Sequence, residues 1–179
     1  MKTVQIIVAS TRPNRAGLPV ANWVYAEAQK QSDIKFELID LARVKLPFLD
    51  EPKSPSDGDY QHEHTKRWSE TIKQADGYII VTAEYNRGYP APLKNALDTL
   101  YSEWEGKPVG LVAYSNGAGS GFRVVEQLLP VLHILGLHAL RAKVNLPRVS
   151  ATNDQPYKAE EWAIKSLERL FAELKQALA

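Results

Sequence analysis

Gly77-Tyr78-Ile79-Ile80-Val81-Thr82-Ala83-Glu84-Tyr85-Asn86-Arg87-Gly88-Tyr89-Pro90-Ala91-Pro92 is the stretch whose reading decides the fold. Residues 77–81 form the most hydrophobic short run in the chain, and the segment 77–82 reads as a buried strand. Beyond it, Leu93, Ala96, Leu97 and Leu100 recur at i, i+3, i+4 and i+7, so a helix is expected from about Pro92 to Ser102. A strand that ends in a loop and re-enters as a helix leaves backbone N–H groups unpaired at the turn. In open α/β sheets such groups sit outside the carboxyl ends of the strands, where ligands bind. Two readings stay open for residues 83–92: a platform for a flat aromatic ligand, or a plain βα connection stiffened by Pro90 and Pro92.

The same alternation extends outward in both directions. Residues 3–9 read as a strand rich in Val and Ile, followed by a loop over 10–17. A helix comes next, with Leu18, Ala21, Tyr25 and Ala28 on one face. A second strand is expected at 35–40, then a long irregular surface excursion over 41–59 containing Pro47, Pro52 and Pro55. A helix over 65–75 places Trp68, Ile72 and Ala75 on one side. After the opening stretch come a strand at 107–114, a glycine-rich loop at 115–121, and a helix with Val125, Leu128, Leu129, Leu132 and Leu135 inward. Pro130 is expected to kink that helix, because its missing N–H leaves the Glu126 carbonyl without a partner. Residues 138–144 read as a fifth, less apolar edge strand, and residues 158–178 as a last helix burying Ala163, Leu167, Leu170, Leu174 and Leu178. Five strands alternating with helices specify one α/β domain over residues 1–179. The expected architecture is a three-layer α/β/α arrangement with a five-stranded parallel sheet in the order 2-1-3-4-5.

Composition narrows the chemistry. The 22 Lys and Arg against 21 Asp and Glu, a net charge of +1, leave no basic footprint for nucleic acid and no acidic surface for docking a redox partner. A small-molecule partner is therefore expected. With no cysteine, disulfides, thiolate metal sites and Cys nucleophiles are excluded, and any redox chemistry must come from a cofactor. The start, Met1-Lys2-Thr3-Val4-Gln5-Ile6-Ile7-Val8, lacks the pattern of a signal peptide, and no stretch has the length of a membrane span, so a cytoplasmic location is expected.

In the strand order 2-1-3-4-5 the loops after strands one, three and four emerge together beside the switch point. The first offers Ser10, Thr11, Arg12 and Arg15 ahead of a helix start, a set that suits a phosphate dianion. It equally suits a capped helix with solvated arginines. The second offers Tyr85 and exposed amides, and the third offers Gly117, Gly119 and Gly121, which permit close backbone approach and positive φ. Together they suit an isoalloxazine, although Tyr85 alone reads as a packing residue and the glycines alone as a flexible loop. Other catalytic patterns are weaker. Residues 117–121 resemble Gly-x-Ser-x-Gly out of register, so Ser120 reads as a helix cap or loop residue. His62 and His64 flank Glu63 without a second ligand cluster, which reads as a solvated helix start and not a metal site. No phosphate-binding P-loop motif follows the first strand.

Residues 9–15, Glu84-Tyr85-Asn86-Arg87-Gly88-Tyr89-Pro90-Ala91-Pro92-Leu93-Lys94-Asn95-Ala96-Leu97-Asp98, and the strand at 107–112 with its glycine-rich sequel resemble the NADPH-dependent FMN reductases, a flavodoxin-like family. The resemblance covers about residues 3–145. It implies FMN as cofactor, NADPH or NADH as cosubstrate, and hydride passage by a ping-pong mechanism to a quinone, azo compound, metal oxyanion or flavin. No catalytic side chain is implied, since flavin N5 carries the hydride. A non-enzymatic FMN-binding carrier or regulator would share the same loops. By the resemblance Ser10, Arg12, Arg15, Gly17 and Leu18 hold the phosphate end, Glu84, Tyr85 and Asn86 the flavin turn, and Ser115, Asn116, Gly117, Ala118, Gly119 and Ser120 the third loop. Ala9, Ala83, Arg15 and Gly17 depart from the family's usual Gly, Pro, Ser and Asn. The departure leaves Arg15 either on the FMN phosphate or turned outward to the nicotinamide nucleotide. Members usually pair, so a homodimer or homotetramer is expected, with Tyr101, Trp104 and the Pro-rich stretch after strand two as an apolar patch for the contact; Trp104 equally reads as capping the helix end within its own subunit.

Overall fold

Residues 1–150 and 155–179 are described by the structure, a computed structural model. Five strands, β1 (Lys2–Val8), β2 (Ile34–Asp40), β3 (Gly77–Ala83), β4 (Pro108–Tyr114) and β5 (His138–Leu146), form one sheet in the order β2-β1-β3-β4-β5. All neighbouring pairs are parallel. Around them run α1 (Gly17–Ala28), α2 (Leu41–Val44), α3 (Glu63–Lys73), α4 (Ala91–Asp98), α5 (Phe122–Ile134) and α6 (Glu161–Ala177). The arrangement is the flavodoxin-like one read from the sequence.

Burial explains the layers. β3 and β4 are buried along their whole lengths because helices cover both faces, which is why neither shows an alternating pattern. Ile79 and Val81 pack with Val20, Val24, Leu167 and Leu170 of α1 and α6. Tyr78 and Ile80 turn to the other layer, with Ile72 of α3, Leu97 of α4 and Leu128 of α5. β5 is an edge, as its mixed composition indicates.

Several boundaries differ from the periodicity. α4 stops at Asp98, and Leu100 is buried in the turns that follow. α6 begins at Glu161, after the tyrosine-containing segment that packs Tyr157 on Trp23. α5 continues through Pro130 to Ile134 as one helix. The excursion over 41–59 holds α2 and a 3-10 turn at Pro55–Asp57. Asn95 ties it to α4 by donating to the Pro47 carbonyl (2.7 Å) and accepting from the Leu49 amide (3.0 Å).

Of the two readings of Trp104, the structure shows the one within its own subunit, at the end of α4, and not the exposed aromatic pair. Trp104 is 1% exposed, donates its indole N–H to the Leu97 carbonyl, and meets the Tyr78 ring edge-on with centroids 5.1 Å apart. The turns after α4 fold back under the helix, and a large aromatic there fills the gap between layers. Tyr101 is exposed as expected. His62 and His64 stack on one another and turn their rings to Asp50, holding the excursion against the start of α3.

Candidate functional site

Parallel strands ending in register bring their following loops to one edge. Val8 pairs with Val81, Ala83 with Tyr114, and Tyr114 with Leu146, so the loops after β1, β3, β4 and β5 emerge side by side. They enclose a cleft of about 240 Å³. Arg12, Arg15, Glu84, Tyr85, Ser115 and Asn116 line it, together with Asn14, Ala16, Ala83, Tyr114, Val149 and Ser150.

The floor is a set of hydroxyls. Ser10, fully buried, shares a 2.6 Å hydrogen bond with the Tyr85 hydroxyl, so Tyr85 reaches from the β3 loop to the β1 loop while 38% of it stays exposed. Tyr114 lies beside them. Burial pushes its phenol well above the ordinary value and neighbouring Tyr85 adds to this, against a bond from Ser10 and the charges of Arg15 and Arg12. A neutral phenol at this place is a stable donor. Gly17 makes room for it, since an added Cβ would lie less than 3.0 Å from the Tyr114 hydroxyl oxygen.

Arg15 stands at the wall between the cleft and β2. Its Nη2 donates to Asp40 Oδ2 at 2.6 Å, and the two side chains are only 14% and 6% exposed. Its Nε is buried without a partner among the described residues. An orphaned donor of this kind costs about 1–3 kcal/mol until an acceptor reaches it. α1 begins behind it at Ala16, with no side chain capping the first turn, so the helix start also offers amides.

The β3 loop is a two-residue reversal. Tyr85 and Gly88 exchange both backbone hydrogen bonds at 2.9 Å, with Asn86 at φ 50° and Arg87 at φ 70° between them. This is the type I′ geometry, which favours Asn-Gly, and Arg at its second position carries strain. Glu84 secures the turn. Its amide donates to the Tyr114 carbonyl, and its carboxylate accepts from the Arg123 amide (3.2 Å) and guanidinium (3.5 Å) in the first turn of α5. Glu84 thus supports the shape of the loop.

The β4 loop is held from the far side. The Ser115 amide donates to the Leu146 carbonyl, the Val149 amide to the Ser115 carbonyl, and the Arg148 amide to the Gly117 carbonyl. Gly117 faces open space, but the left-handed positions here are Ser120 (φ 55°) and Gly121 (φ 72°). Gly121 is required by packing, because a Cβ would approach the Tyr114 amide and Ala113 within 3.0 Å. Ser120 does not cap α5; its hydroxyl donates to the Ala118 carbonyl. Five of the six non-glycine residues with positive φ among those described, Asn14, Asn86, Arg87, Ser120 and Arg148, belong to these four loops, so strain is concentrated at this end of the sheet.

The remaining sequence candidates sit around the cleft and not in its wall. Gly17 packs beneath Tyr114, and Leu18 lines a separate hollow beside Pro19 and Asn22. Asn86, Gly117, Ala118 and Gly119 are exposed in the loops, with Ser120 at the start of α5. Sequence reasoning missed Tyr114, Asp40, Arg123 and the β5 loop. The strand order contained a signal for the last, since β5 neighbours β4 and its loop must emerge beside the glycine-rich one.

Known proteins match this chain over most of its length. A family model for NADPH-dependent FMN reductases matches residues 1–151. An NAD(P)H-dependent FMN reductase of Schizosaccharomyces pombe is 38% identical over 154 residues, covering 85% of this chain and 74% of that protein. An FMN-dependent NADPH-azoreductase of Staphylococcus aureus is 31% identical over 157 residues, covering 87% of this chain and 79% of its own length. Among solved structures, a flavoenzyme NAD(P)H:(acceptor) oxidoreductase from Paracoccus denitrificans superposes with a TM-score of 0.76 at 23% identity, covering 99% of this chain and 97% of that one, a likeness of fold. With the extent of these matches and the four loops meeting at one cleft, the chain belongs to the NADPH-dependent FMN reductase family.

Proposed function

We propose that this protein is an FMN-dependent NAD(P)H oxidoreductase that passes reducing equivalents from a nicotinamide nucleotide to a small acceptor, a quinone or an azo compound, in a ping-pong cycle. The observation that carries the reading is a cleft lined by Arg12, Arg15 and the hydroxyls of Tyr85 and Tyr114, with a strained turn and an open glycine-rich loop at its rim. The donor set fits FMN. Arg12 and Arg15 in the cleft wall and the uncapped amides at the start of α1 would hold the phosphate, with Ser10 buried behind them, a setting that a helix start and guanidinium groups favour. Glu84, Tyr85, Asn86 and residues 115–120 would border the ring. When bound, FMN supplies the hydride chemistry at N5.

The chain's own residues then have three tasks. With FMN bound, the loop amides would present fixed dipoles to negative charge on the ring, a stabilisation that needs no reorganisation. Glu84 and the β5 loop keep those amides in place through their bonds to Arg123, Ser115 and Gly117. Tyr85 stays anchored through its hydroxyl on Ser10 while its exposed face remains open to the ligand. No side chain is assigned proton transfer. The exposed Phe48, Leu49 and Tyr101 offer apolar surface that supports assembly as a homo-oligomer.

Stopped-flow mixing of the FMN-loaded chain with NADPH or NADH tests the reading. Bleaching of the visible flavin absorbance within seconds is expected, with recovery when a quinone is added after the oxidised nucleotide has been removed. A flavin that stays oxidised under both nucleotides would show a carrier or binding protein instead.

A further inference from the structure

Arg15 and Asp40 form a charge pair at the cleft wall whose two ends do different work. The Asp40 carboxylate is fully engaged: Oδ2 accepts from Arg15 Nη2 at 2.6 Å, and Oδ1 accepts from the Ala42 amide at 3.0 Å, capping α2. Arg43 Nε lies 3.8 Å from Oδ2 on an exposed side chain. Arg15 is not fully engaged. It lines the cleft, and its Nε donor has no partner among the described residues. A guanidinium presents five donors in a fixed planar fork, so fastening one nitrogen to a buried carboxylate fixes where the others point.

We propose that Asp40 is a positioning residue that holds the Arg15 guanidinium toward the phosphate end of the cleft, and that this pair sets the preference of the site for a phosphorylated flavin over the same ring without phosphate. The proposal rests on the FMN reading above. On this proposal Arg15, tied inward to Asp40 at the end of β2, serves the ligand in the cleft and does not reach outward to the nicotinamide nucleotide. It also makes an opposed prediction of sign. As a bare negative charge near the phosphate, Asp40 would weaken FMN binding, and neutralising it would tighten the complex. As the holder of Arg15, it strengthens binding, and neutralising it loosens the complex.

The test compares FMN and riboflavin binding, each followed by quenching of flavin fluorescence on titration with the apoprotein. Riboflavin carries the ring without phosphate, so the ratio of the two dissociation constants isolates the phosphate end from any general loss of fold. Asp40→Asn retains an oxygen to cap Ala42 but presents an amide N–H₂ where the carboxylate met the guanidinium. It is expected to reduce the FMN preference about tenfold, with riboflavin binding within about twofold of wild type. Arg15→Ser is expected to reduce the preference by about 10- to 100-fold. Arg15→Lys, which keeps Asp40 compensated and so protects folding, is expected to lose preference as well, because one ammonium does not serve carboxylate and phosphate in the fork geometry. Because Asp40 acts through Arg15, the double variant Arg15→Ser/Asp40→Asn should equal Arg15→Ser alone.

Tighter FMN binding by Asp40→Asn, an unchanged preference in either Arg15 variant, or additive losses in the double variant would each overturn the pair's role. A wild-type chain that binds neither flavin would instead refute the cofactor reading on which the proposal rests.

Discussion

Replacing Gly17 by Ala should break the floor of the cleft, and the same structure says how to mend it. The added Cβ would fall less than 3.0 Å from the Tyr114 hydroxyl oxygen and 3.3 Å from Cζ, where ordinary contact begins at 3.4 Å. The hydroxyl must retreat by about 1 Å, in a residue fixed by β4 on one side and the Ser10 and Tyr85 hydroxyls on the other. Overpacking of this kind costs about 1–3 kcal/mol, more than the few tenths that Ala gains over Gly in a first helical turn. Removing the offending oxygen in Tyr114→Phe leaves the 3.3 Å contact, which a small shift relieves. On the wild-type background Tyr114→Phe removes a hydroxyl that lies beside Ser10 and Tyr85 and should cost about 0.5–1.5 kcal/mol. On the Gly17→Ala background it should stabilise by about 1 kcal/mol or more. Urea denaturation of the four proteins in the cycle measures both signs. A Gly17→Ala protein as stable as wild type, or a Tyr114→Phe change that destabilises both backgrounds equally, would refute the steric argument.

Three further outcomes follow from the loops and the excursion. Arg87→Gly, which relieves φ 70° at the second position of the turn, should stabilise the fold by about 0.5–1 kcal/mol in urea denaturation, the gain reduced by the greater freedom of glycine in the unfolded chain. Glu84→Ala removes the acceptor at the first turn of α5 and should cost about 1 kcal/mol, read as a lower midpoint of thermal unfolding; an unchanged midpoint would remove Glu84 as the link between the two loops. Glu51 is pulled in two directions: burial pushes its carboxyl up, and bonds from the Gln61 and His62 amides outweigh this and bring it down to about 2 from 4.5. A depressed carboxyl contributes stability that is present above 4.5 and lost as the pH falls toward 2. The stability difference between wild type and Glu51→Gln, measured by urea denaturation across that window, should therefore shrink on acidification, and a constant difference would count against the bonds from the Gln61 and His62 amides as its source.

The sequence by itself determined the order of elements, the parallel sheet and three of the four loops that share an edge. Apolar runs such as residues 77–81 need helices on both faces, and five such units joined by helices leave few arrangements. The Glu84-to-Asp98 motif carried the family, because it joins a tight turn, two prolines and a helix start in a fixed spacing. Local pattern put Ser10, Arg12, Arg15 and Tyr85 in loops expected at one edge, and the family resemblance added Ser115. Only the tertiary structure decided what those side chains face. Trp104 is buried by turns that fold under α4, an event no helical period encodes. Tyr114 and Gly17, 97 positions apart, became partners because strand and helix starts converge at the switch point. Arg15 met Asp40 because β2 lies next to β1, and that contact, not the residue type, sets the direction of its charge. Periodicity reports which face of an element is apolar, whereas the partner of a polar group is chosen by long-range packing between elements distant in the chain.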